Sequence, residues 1–63
     1  DPWYKIDVVR ALDQTAMLLQ DPTAVNQEAL AILEEMQANG TLPQGYEEWI
    51  GGFRRNLGLP TDF

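Results

Sequence analysis

The side chains able to do chemistry in this chain are few in kind: ten Asp and Glu stand against four Lys and Arg, and cysteine, histidine and serine are absent. Without Cys there is neither a disulfide nor a thiolate zinc site, and without His the commonest metal ligand and acid-base group is missing. Serine-, cysteine- and histidine-based catalysis are therefore excluded within these residues. A non-enzymatic protein is expected, with no cofactor and no metal site.

The carboxylates form two adjacent pairs, Glu34-Glu35 and Glu47-Glu48. Adjacent residues on a helix diverge by about 100°, so neither pair closes on one ion without a third ligand. Asp7, Asp13 and Asp21 lack the alternating oxygen donors and internal glycine of a calcium loop. A solvated acidic face accounts for all of them.

Two other groupings are suited to binding. Trp3, Ile6, Arg10, Asp13 and Met17 recur at helical spacing on the otherwise polar side of the first helical segment. Trp, Met and Arg are types enriched at protein contacts, so this stripe is a candidate partner surface. The second grouping is Gly51, Gly52, Arg54 and Arg55. Each glycine inside a helix costs about 0.5–1 kcal/mol relative to alanine, and both are expected to point away from the aromatic stripe of their helix. That leaves a bare face flanked by two guanidinium forks, suited to a carboxylate- or phosphate-bearing partner. A simpler reading competes with it: Glu47-Glu48 early and Arg54-Arg55 late also complement the helix macrodipole.

The elements that must position these residues are legible in the punctuation. Asp1-Pro2 supplies an N-cap carboxylate and a proline at the first helical position, and Asp21-Pro22 repeats the signal. Asn39-Gly40 and Gly58-Leu59-Pro60 read as helix ends. The spacing predicts helices over about 2–20, 22–38 and 44–57, with 61–63 as a tail. Val25, Ala29, Ile32, Leu33 and Met36 form one stripe on the second helix, and Tyr46, Trp49, Ile50, Phe53 and Leu57 a narrow one on the third. On the first helix Tyr4, Val8, Ala11, Leu12, Thr15, Ala16, Leu18 and Leu19 cover a wide arc, which predicts contact with both other helices. The fold class is all-α: one compact three-helix domain, with an up-down-up bundle as the economical topology. That order would gather Trp3 and Tyr4 beside Tyr46 and Trp49.

At 63 residues the chain is a single domain with a thin stability margin. A net charge of −6 and a pI near 4.1 argue against direct nucleic-acid binding and against anionic membrane surfaces. The second and third helices do not make a helix-turn-helix motif, because their connection is too long and the Arg pair sits late on the would-be recognition helix. No apolar run spans a membrane and no signal peptide is evident, so a cytoplasmic location is expected, while the missing initiator Met points to a processed or excised chain. The function expected is a small protein-protein interaction module acting as subunit, adaptor or regulator, docking on another protein or on a second copy. The alternative is an acidic inhibitor or nucleic-acid mimic that blocks a basic site on a partner protein.

Overall fold

The structure, a computed structural model, describes residues 1–60; the expected tail at 61–63 lies outside the described residues. Three helices follow in order: α1 (Pro2–Ala16), α2 (Thr23–Asn39) and α3 (Glu47–Asn56), with no strand among the described residues. The domain is all-α.

The helix starts follow the Asp-Pro pairs. Asp1 Oδ1 accepts the Trp3 N–H at 2.9 Å, satisfying a donor the first turn cannot pair internally. Asp21 Oδ1 accepts from the Thr23 hydroxyl at 2.7 Å and from the Thr23 N–H at 3.2 Å. Those two bonds, the hydroxyl first, hold the Asp21 carboxyl below the usual carboxylate range. The ends of α2 and α3 share one device. Gly40 and Gly58 both adopt φ +73°, which L side chains rarely do; Thr41 N–H then returns to the Met36 carbonyl at 2.9 Å and Leu59 N–H to the Arg54 carbonyl at 2.8 Å.

Two boundaries differ from the sequence expectation. α1 stops at Ala16 rather than near Gln20, because the chain tightens: Leu18 N–H bonds to the Thr15 carbonyl at 3.0 Å and Leu19 N–H to that of Ala16 at 3.3 Å. α3 begins at Glu47 rather than Gln44, after a turn closed by Tyr46 N–H on the Pro43 carbonyl at 3.2 Å.

The core is built on α2. Ala29, Leu30, Leu33 and Met36 are buried between Ile6 and Val9 of α1 and Ile50 and Phe53 of α3, with Leu12, Ile32, Leu42, Tyr46, Trp49 and Leu57 closing around them. Asn26 is the polar member of the buried α2 stripe. Lys5 near the start of α1 lies 3.8 Å from Glu35 near the end of α2, as in antiparallel neighbours. Trp3 meets Tyr46 edge-on at 5.9 Å, and Tyr46 meets Trp49 at 4.6 Å, so the N-terminal ends of α1 and α3 share one end of the domain. These are the pairs that an up-down-up order brings together. Tyr4, expected in the same cluster, is 70% exposed instead.

The face of α1 is rotated from the one expected. Ile6, assigned by spacing to the partner surface, is 0% exposed in the core, whereas Tyr4, Ala11 and Thr15 of the expected core arc face solvent. The physical reason is size: Ile6 and Val9 offer more branched apolar surface to α2 than a strip containing Ala11 and Thr15. The backbone of α1 therefore packs closely on α2 only, and α1 reaches α3 through side chains. No Cα of α1 comes within 8 Å of one in α3 among the described residues. The result is flat, measuring 33 × 27 × 15 Å, with α2 in the middle and a groove where α1 and α3 stay apart.

Candidate docking surface

Side chains rather than backbone bridge α1 to α3, and they account for Arg10. Its Nη2–H donates to the Tyr46 hydroxyl at 3.1 Å, and its guanidinium lies 5.9 Å from the Trp49 ring centre. Arg10 was expected on the partner stripe; it is engaged within the fold. With Ile6 buried, only Trp3 at 52% and Met17 at 78% exposed remain as apolar anchors of that stripe. Leu18, at 86%, stands beside Met17 in the turn after α1.

The Arg patch divides in the same way. Arg54 pairs with Glu34 of α2 and also donates to the Pro60 carbonyl at 3.4 Å, so it ties the end of α3 to the rest of the domain. Arg55 is exposed. Gly51 is buried, contrary to its expected bare position, while Gly52 is only partly covered. Glu34 and Glu35 face Arg54 and Lys5 of the same chain, which spends internally two of the carboxylates that a nucleic-acid mimic would present.

Two hollows meet at Gly52. One, of about 350 Å³, is lined by Asp13 of α1 with Glu48, Trp49, Gly52, Phe53 and Asn56 of α3. It is the groove left by the separation of α1 and α3. The other, of about 500 Å³, is lined by Glu47, Glu48, Gly51, Gly52 and Arg55. Glu48, Gly52 and Asn56 stand four residues apart in succession, on one face of α3. That spacing was readable in the sequence, but Glu48 and Asn56 gain meaning only once Asp13 is placed opposite them. The surface is mixed in charge, with Arg55 the cation lining it among the described residues.

Gly52 itself is unexplained by the fold. It is not among the glycines with positive φ, and a Cβ built on it would meet nothing within 4 Å. Neither backbone conformation nor internal packing requires a glycine there. No group of three or more carboxylates that could hold a metal ion occurs among the described residues, and no helix there is long and apolar enough to cross a membrane.

Comparison with known proteins adds no relative. The chain matches no family model, no curated protein and no solved structure.

Proposed function

We propose that this domain is a non-enzymatic docking module, working as a subunit, adaptor or regulator through contact with another protein. The observation that carries this reading is the apolar surface left outside the core: Trp3, Tyr4, Met17, Leu18, Leu19 and Leu59 are all exposed on a domain of 63 residues. Single exposed apolar residues are ordinary on any surface, but Trp3 and Tyr4 sit together at one end of α1 and Met17, Leu18 and Leu19 together at the other. Aromatic and Met side chains are the types that anchor interfaces, and the surrounding acidic residues orient the approach of a partner.

Affinity capture from a native cell extract tests this. The immobilised domain should retain a defined set of proteins that a triple variant, Trp3→Ser, Met17→Ser, Leu18→Ser, releases while keeping its helical circular-dichroism spectrum. Equal retention by the variant would overturn Trp3, Met17 and Leu18 as the anchors, and no retention by the parent would overturn the docking reading.

A further inference from the structure

We propose that the Gly52 face of α3 is the docking surface for a helix of another protein that presents Lys or Arg toward Asp13, Glu47 and Glu48. The proposal rests on the docking reading above and specifies the chemistry of the partner.

Three observations converge on it. First, Gly52 serves nothing inside the chain, since its backbone is outside the positive-φ region and the place of its missing Cβ is open. What a glycine does supply on a helix surface is room for another backbone to come close. Second, the space is there: the groove of about 350 Å³ and the hollow of about 500 Å³ share Glu48 and Gly52, so an occupant crossing α3 at Gly52 enters both. Trp49, partly exposed on the groove wall, offers apolar surface to one side of an amphipathic helix, in the manner of helix-in-groove recognition.

Third, the charges select the occupant. Asp13, Glu47 and Glu48 take part in no ion pair among the described residues. A second copy of the chain supplies their counterions poorly. Of its four Lys and Arg, Lys5 pairs with Glu35, Arg54 with Glu34, and Arg10 lies against Tyr46 and Trp49, leaving Arg55. A second copy would also bring its own net charge of −6. A basic amphipathic helix from another protein matches both the apolar wall and the acidic rim.

The test uses a synthetic amphipathic peptide of Lys and Leu at helical spacing, with a Glu and Leu counterpart, titrated into the 63-residue chain by calorimetry and amide NMR. The Lys peptide should bind, more weakly as salt is raised, with the largest amide shifts at Asp13, Glu48, Gly52 and Asn56; the Glu peptide should not bind. Asp13→Asn with Glu48→Gln should weaken binding roughly five- to tenfold, as expected for losing two partly exposed charge pairs. Gly52→Leu should weaken it by at least that much with the fold intact, because its side chain enters open space. Glu28→Gln, on exposed α2 surface, should leave affinity unchanged. Equal binding of the Glu peptide, or insensitivity to Gly52→Leu with shifts centred on Trp3 and Met17, would overturn the Gly52 surface while leaving the docking reading standing. No binding of the Lys peptide would also overturn it, and the extract capture then judges the docking reading separately.

Discussion

Leu33→Ala is expected to leave the domain largely unfolded at room temperature. Leu33 is fully buried at the centre of α2, the helix against which both others pack. Removing a buried Leu costs about 2–5 kcal/mol, from lost burial together with the cavity left behind. Domains below about 70–80 residues without disulfide or metal seldom hold more than about 3–5 kcal/mol in total. The loss is therefore comparable to the whole stability, and it strikes both halves of the core at once. Urea titration followed by circular dichroism should show no folded baseline, or a midpoint lowered by about 2 M or more for a slope near 1 kcal/mol/M. Leu18→Ala, at an exposed site, is the control and should shift the midpoint little. A Leu33→Ala midpoint equal to the parent's would refute the central position of α2.

Ile6→Asp should be as damaging, and it decides which face of α1 is inside. At 0% exposure a carboxylate at this position is desolvated among apolar side chains, which costs several kcal/mol or forces the group to stay protonated. Met17→Asp, on the stripe once shared with Ile6 by spacing, should change stability by less than about 0.5 kcal/mol. Thermal unfolding of the two variants separates the alternatives. If Ile6→Asp melts with the parent, as Met17→Asp should, then α1 is rotated the other way and its Tyr4 face is the buried one.

What could be read in advance follows from how local each signal is. Asp1, Asp21, Gly40 and Gly58 act through bonds to residues two to five positions away, so the helix starts and stops are written in short stretches of sequence. The stripe of α3 was also legible, because its large apolar residues occupy one arc; on α2 the expected stripe held Ala29, Leu33 and Met36 but left out Leu30, which lies beside that arc and is buried. On α1 apolar residues lie on two arcs, and the choice between them depends on what α2 presents, which no local pattern contains. The same limit applies to the ions. Arg10 and Arg54 look like free cations along the chain, and only the tertiary placement of Tyr46, Trp49 and Glu34 shows them engaged. The separation of α1 from α3, and hence the groove with Asp13 facing Glu48, is likewise a property of the assembled helices.

The fold makes no use of the glycine at position 52, whereas the proposed docking surface does. The thermal midpoint of Gly52→Ala in the isolated domain tests that most directly. With an ordinary helical backbone and nothing within 4 Å of the added methyl, alanine should stabilise α3 by about 0.5–1 kcal/mol, raising the midpoint by roughly 2–8 °C for a domain of this size. A lowered midpoint would mean that the fold itself requires the glycine, and would contradict the claim that the Gly52 face is left bare for a partner.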